Sequence, residues 1–249
     1  MPGFSIDRKT LFIIIAVFIA LTLINLGTFN IVITLLTLPG VILAMSFHEF
    51  AHAFVAFKLG DPTPKNQGRV TLDPLKHLDP VGLFLLIFAH LGWGKPVEIN
   101  SNNFSRVSKE TGEVLVALAG PLMNFILAFI LTVIFYAIQL FGGIKVIANL
   151  ASLNVASVCI TMLYYAIIVN IGLGVFNLIP IPPLDGSKIF LRVLPRNARE
   201  WIDNNMYYIQ IVFLILFITN ILGYITTPVI EIVLTGLDYI VGAIFGLFI

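Results

Sequence analysis

Charge is scarce in this sequence: Asp, Glu, Lys and Arg make up 11% of the 249 residues, against 59% hydrophobic ones. One soluble core cannot hide that much apolar surface, so the solvent for most of the chain is lipid. Cysteine is scarcer still. Cys159 is the single one and lies inside an apolar run, which excludes a disulfide framework. A net charge of +1 leaves no basic footprint, which excludes nucleic acid as a partner. Long polar stretches, internal repeats and low-complexity tracts are missing too, so no extended soluble module is expected.

What remains is a series of apolar runs at about 10 to 30, 38 to 58, 113 to 141, 155 to 178, 206 to 223 and 226 to 248. Each approaches or exceeds the roughly 20 residues a helix needs to cross hydrocarbon. The sequence therefore reads as an all-α polytopic membrane protein of about six transmembrane helices, a single domain over 1–249. Its catalytic core is expected at about 38–190 and its C-terminal helices at about 206–249. Pro39 and Gly40 mark the expected break between the first two spans. The run after Arg8 and Lys9 is longer than the apolar region of a signal peptide and lacks a clear cleavage site, so it is taken as a retained span. The piece "VGLFLLIFAHLGWG" at 81–94 is too short to cross and reads as re-entrant or interfacial. Upstream of it, "LGDPTPKNQGRVTLDPLKHLDPVG" reads as turns around one or two short strands, a short cytoplasmic β-hairpin. Placing both termini and the loops 58–112 and 179–205 in the cytoplasm puts every Lys and Arg except Lys145 on that side, as the positive-inside rule favours.

Three ionisable residues break the second run. In "HEFAH", His48 and His52 stand four apart, so on a helix both imidazoles share one face and can reach one cation. Glu49 follows the first of them, where its carboxylate reaches a water on that cation without ligating it. Such residues are costly in a bilayer, about 2.5 to 3.5 kcal/mol for a charged side chain at mid-depth on insertion scales, and usually mark a working interior. The bland alternative is polar glue between helices. A hydrolytic zinc needs a third protein ligand, and the obvious donor is Asp185 in "NLIPIPPLDG". Pro180, Pro182 and Pro183 forbid a regular helix there, so the chain must unwind and can swing Asp185 back. The competing reading is a Pro-rich turn with Asp185 capping the next helix. Six residues separate His52 from Lys58 and ten separate His48 from it. At helical rise that places the pair roughly 9 to 15 Å from the cytoplasmic boundary.

Together "HEFAH", "LAGPLMN" at 118–124 and "NLIPIPPLDG" at 177–186 resemble the site-2 protease family of intramembrane zinc metalloproteases, peptidase family M50. The resemblance covers about 38–190. It implies one Zn2+ per chain on His48, His52 and Asp185, Glu49 as the catalytic carboxylate, and Asn177 beside the active site as a donor to the oxyanion or the substrate strand. It implies single-span membrane-protein substrates and a bacterial cytoplasmic membrane. "GWGKPVEIN" at 92–100 is similar to the compact bacterial branch, with no insertion large enough for a PDZ domain and no CBS domain after the last span. "AGPLMN" reads first as a close helix-packing stripe, with Asn124 free to hydrogen-bond across it. His77 and His90 are weaker metal candidates. Two other classes stay open: a catalytically idle membrane scaffold, and an ion- or proton-conducting transporter.

Overall fold

The computed structural model describes residues 31–79, 82–83, 94–142 and 155–246. The expected span at 10–30 and nearly all of the short apolar piece at 81–94, His90 included, lie outside them. The described residues form helices α1 (Ile31–Leu59), α2 (Thr63–Asn66), α3 (Lys109–Gly142), α4 (Val155–Asn177), α5 (Asp185–Val193), α6 (Arg196–Asn204), α7 (Met206–Ile218) and α8 (Ile221–Gly246). Four of them, α1, α3, α4 and α8, are long and apolar enough to cross a membrane. The protein is a helical membrane protein, which is the form a bilayer imposes on a backbone that must bond internally.

Three expectations about this architecture change. Helix α1 runs unbroken through Pro39, where a boundary between spans was expected. In a transmembrane helix a proline is tolerated because neighbouring helices and hydroxyl side chains accommodate the freed backbone groups. Gly40, next to it, lies so close to α4 that a Cβ there would sit 2.6 Å from Ala166 Cα. The run at 206–223 yields only the 13-residue α7, about 20 Å long and too short to span. Asn220, with φ of 57°, takes the left-handed conformation that stops a helix, and α8 starts directly after it.

No strand occurs among the described residues, so the expected β-hairpin is replaced by an isolated antiparallel bridge between Leu78 and Gly94. Local side-chain bonds compete with strand pairing here: Asp73 caps a 3-10 turn by accepting from the Leu75 amide, and Pro74 lacks the donor a ladder needs.

Helices α1, α3 and α4 pack pairwise, α8 lies along α3 and α4, and α5 rests on α3. Small residues make the closest approaches: Ala44, Ala53 and Ala56 of α1 and Ala117 of α3 are fully buried. Leu127, Leu131, Ile160, Ile167 and Ile171 fill the core between α3 and α4. Leu122, Ile126 and Ile130 on α3 and Tyr224, Ile225 and Ile232 on α8 are exposed, as lipid-facing side chains are.

Past the end of α1 the chain is pinned by one buried carboxylate. Asp61 Oδ1 accepts from the Thr63 amide, the Thr63 hydroxyl and Asn103 Nδ2, and its Oδ2 accepts from the Asn100 amide at 2.7 Å. Burial alone pushes the Asp61 carboxyl up, but these donors more than offset it and hold the group below the usual carboxylate range. A depressed carboxyl stabilises the fold above its unfolded value of about 3.9, and that contribution is lost as pH falls through the folded value. Thermal unfolding in detergent between about pH 6 and 3 is expected to show this acid loss in the parent. Asp61→Asn, with an NH2 set against donors, is expected to be less stable by about 1–3 kcal/mol near neutrality and to have a flatter acid limb. Parallel profiles for the two proteins would contradict this role.

Candidate metal centre

One turn of α1 brings His48 and His52 together, their Nε2 atoms 3.0 Å apart and both rings buried. Asp185 is 137 residues away from His48, yet its Oδ2 lies 3.2 Å from His48 Nε2 and 3.1 Å from His52 Nε2. The return path follows from local sequence. Helix α4 ends at Asn177, the prolines force a run of turns over 178–184, and α5 begins with Asp185 itself. Gly186 then presses on the segment it has just left: a Cβ there would stand 2.3 Å from the Leu178 carbonyl oxygen. The reading of Asp185 as an ordinary helix cap gives way, since its carboxylate meets the imidazoles instead.

The polarity of these groups requires a positive charge between them. His52 Nδ1 lies 2.7 Å from the Val116 carbonyl oxygen, which can only accept, so Nδ1 carries a proton and, in the neutral ring, Nε2 holds a lone pair. His48 Nδ1 is likewise engaged, 2.7 Å from Asn124 Oδ1. Two nitrogen lone pairs and a carboxylate oxygen thus converge, and they repel one another unless a cation lies among them. Tetrahedral coordination with bonds of about 2.0–2.1 Å sets donors roughly 3.3 Å apart, close to the separations found. The floor of the site is Gly120 of α3, where a Cβ would come within 2.5 Å of His48 Cε1 and of His52 Nε2. Two imidazoles, one carboxylate and a cleared wall fit zinc with a position left for water.

Glu49 follows His48, and its Oε2 accepts from the Val97 amide at 3.1 Å. The segment carrying Val97 is held across this carboxylate from both ends. The Lys95 amide donates to the His77 carbonyl at 2.8 Å, Arg69 Nη2 donates to the Lys95 carbonyl, Gln67 Nε2 donates to Glu98 Oε2, and Asn100 is tied to Asp61. Gly94 stands where a Cβ would be 3.9 Å from Glu49 Oε1.

Other sequence candidates divide. Asn177 is not linked by a hydrogen bond to the donor set: its Nδ2 donates to the Leu173 carbonyl, one turn back on α4, at 3.0 Å. His77 is fully buried rather than sitting in an open charged loop, and its Nε2 is 2.7 Å from the Thr71 carbonyl oxygen, outside the metal cluster. Burial is the main cause holding its imidazole below the ordinary value. Asn124 has the opposite outcome, since the packing stripe proves to carry a direct partner of His48. Sequence reading missed Gly120 as part of the site and Asn170 altogether. The available signals were the four-residue spacing of Gly120 and Asn124, and an amide stranded in the apolar run "YYAIIVNIGLG".

With this geometry in view, comparison with known proteins is decisive. The profile of Peptidase family M50 matches residues 36–218. The chain belongs to peptidase family M50. Among its relatives is "Putative zinc metalloprotease YwhC" of Bacillus subtilis (strain 168), 38% identical over 191 residues, 76% of this chain and 83% of YwhC. Rip2 of Mycolicibacterium smegmatis, named likewise, is 32% identical over 158 residues, 61% of this chain and 54% of Rip2. Zinc metalloprotease MJ0392 of Methanocaldococcus jannaschii is 27% identical over 197 residues, 78% of this chain and 44% of that protein. The chain thus spans about half the length of the latter two. No solved structure matches it. This M50 peptidase is a zinc metallopeptidase of the site-2 type, set in a membrane.

Gly120→Ala tests the wall of the site. The M50 peptidase is expected to keep its helical circular dichroism while zinc affinity, measured by competition with a chelator, falls on the order of 10–100-fold. Unchanged affinity would mean that the methyl group meets no ligand.

Proposed function

We propose that this M50 peptidase hydrolyses peptide bonds within or near the transmembrane segments of single-span membrane proteins or signal-peptide remnants, with His48, His52 and Asp185 as its zinc ligands and Glu49 as general base. The observation that carries the reading is the meeting of Asp185 with both Nε2 atoms, one residue from a carboxylate, on a membrane-spanning helix. Zinc, when bound, supplies a Lewis acid that lowers the pKa of a coordinated water toward about 7 and polarises the scissile carbonyl. Glu49 then takes the proton of the attacking water and delivers it to the leaving amine. Asn177 serves as an uncharged donor to the developing oxyanion or to the substrate strand once its amide turns from Leu173.

A substrate helix hides its peptide groups in internal hydrogen bonds, so it must locally unwind before cleavage. The turns over 178–184 and the segment 94–100 are non-helical stretches beside the site; the backbone groups of the first and the polar residues Lys95, Glu98 and Asn100 of the second furnish a wall for such a strand and a path for water. We place the whole chain, 1–249, in one membrane protease domain of about 38–190 plus C-terminal helices, in the cytoplasmic membrane of a bacterium. Both termini and the charged loops are assigned to the cytoplasm on the bias of basic residues. Seven residues separate His52 from the end of α1 at Leu59, about 10 Å of helix, which sets the site nearer that face.

The test uses protein purified in detergent, assayed for zinc and incubated with a panel of single-span substrates. The parent is expected to hold about one zinc and to cleave; Glu49→Gln is expected to keep the metal while cleavage falls roughly 10²–10⁴-fold. Ion flux without cleavage would favour the transporter reading, and neither activity the scaffold.

A further inference from the structure

We infer that Asn124 and Asn170 are positioning residues that fix which nitrogen of His48 is offered to the metal. The inference rests on the metal-site reading above. Asn170 of α4, fully buried, donates from Nδ2 to the Ala166 carbonyl at 2.8 Å. That carbonyl can only accept, so the orientation of the Asn170 amide is set and its Oδ1 is left as an acceptor. Asn124 of α3, also fully buried, fills it: Asn124 Nδ2 donates to Asn170 Oδ1 at 3.0 Å and to the Ala44 carbonyl of α1 at 3.0 Å. Both hydrogens of that NH2 are then committed. The remaining atom, Oδ1, faces His48 Nδ1 at 2.7 Å and must accept from it. Each step removes a choice, and the last removes the choice of tautomer. The proton of neutral His48 goes to Nδ1, and the Nε2 lone pair turns toward His52 and Asp185.

The two histidines therefore reach the same tautomer by different routes. His52 leans on a backbone carbonyl, Val116, that no side-chain change can remove. His48 depends on a side-chain amide, whose orientation is set by two acceptors, the Ala44 carbonyl and Asn170 Oδ1. Without Asn170, the Asn124 amide keeps the Ala44 carbonyl but loses its second acceptor, which weakens this orientation against the rotated one that would present NH2 to His48 Nδ1. That arrangement demands a lone pair on Nδ1 and places the proton on Nε2, where a metal must bind. The ladder also crosses three helices, since Asn170 is on α4, Asn124 on α3 and His48 on α1. Gly40 and Ala166 meet next to its Ala166 end, so the close packing of α1 on α4 and the orientation of the metal ligand share one anchor.

Nitrogen NMR on the full chain, labelled with 15N-histidine and stripped of zinc in detergent, reads this directly. There are four histidines, so His48 is assigned by its disappearance in His48→Gln. Near pH 8.5, where ordinary imidazoles are neutral, the parent is expected to show His48 protonated on Nδ1 and bare on Nε2. Asn170→Leu, close in volume, is expected to shift His48 toward the opposite tautomer, leave His52 unchanged, and weaken zinc binding about 10–100-fold by chelator competition. Asn124→Leu should act in the same direction. A parent His48 protonated on Nε2 overturns the inference without any substitution. So does an Asn170→Leu protein that melts earlier while keeping parental tautomer and zinc affinity, since the amide would then be structural only. Retention of parental zinc affinity by Asp185→Ala would instead remove the metal-site reading, and with it the purpose assigned to the ladder.

Discussion

Three electron pairs aimed at one point inside a membrane protein form an arrangement that needs a cation. Asp185 and the two Nε2 atoms are 3.0 to 3.2 Å apart, and with a proton held on each Nδ1 by the groups behind them, the neutral rings turn bare Nε2 lone pairs toward the carboxylate. Much of the fold can be understood as holding these atoms against that repulsion. Helix α1 provides the pair of imidazoles, α3 provides the space and the partners for their far nitrogens, and α4 with its broken end returns the carboxylate. A site of this kind is stable only when its walls do not yield, which accounts for glycine and alanine at the closest approaches of the three helices, among them Gly40, Ala44, Ala117 and Gly120.

The division between rigid and irregular backbone follows function. The ligand-bearing helix is continuous, and even Pro39 does not interrupt it. Irregular backbone falls in two places beside the donor set and Glu49: the turns before Asp185, and the stretch from Gly94 to Asn100 whose Val97 amide bonds Glu49. The latter is fixed by Arg69, Asp61 and His77, all of them buried. A loop rich in charged residues thus acts as structural support for the Glu49 carboxylate.

How much of this was legible beforehand depended on whether the signal was local. The His48–Glu49–His52 spacing is a property of one helix turn and could be read directly. Asp185 could be reached because a run of prolines leaves few conformations and a hydrolytic zinc needs a third donor. Gly120 and Asn170 could not be read, since a glycine's contact across a helix interface and an amide's partner on another helix are tertiary facts with no periodic trace. The expected break at Pro39 failed because a rule learned in water overstates proline's effect in a packed membrane helix. The expected strand pair failed because Asp73 and Pro74 favour a capped turn locally. The role proposed for Asn177 rests on its position, and its amide bonds to its own helix at Leu173.

The central claim concerns the atoms around zinc, and X-ray absorption at the zinc edge measures them without reference to activity. Two imidazole nitrogens and two oxygens at about 2.0–2.2 Å are predicted in the loaded protein, with a nitrogen lost in His52→Ala and an oxygen in Asp185→Ala. A sulfur at about 2.3 Å, for which Cys159 is the lone cysteine source, or a first shell indifferent to both substitutions, would contradict the account.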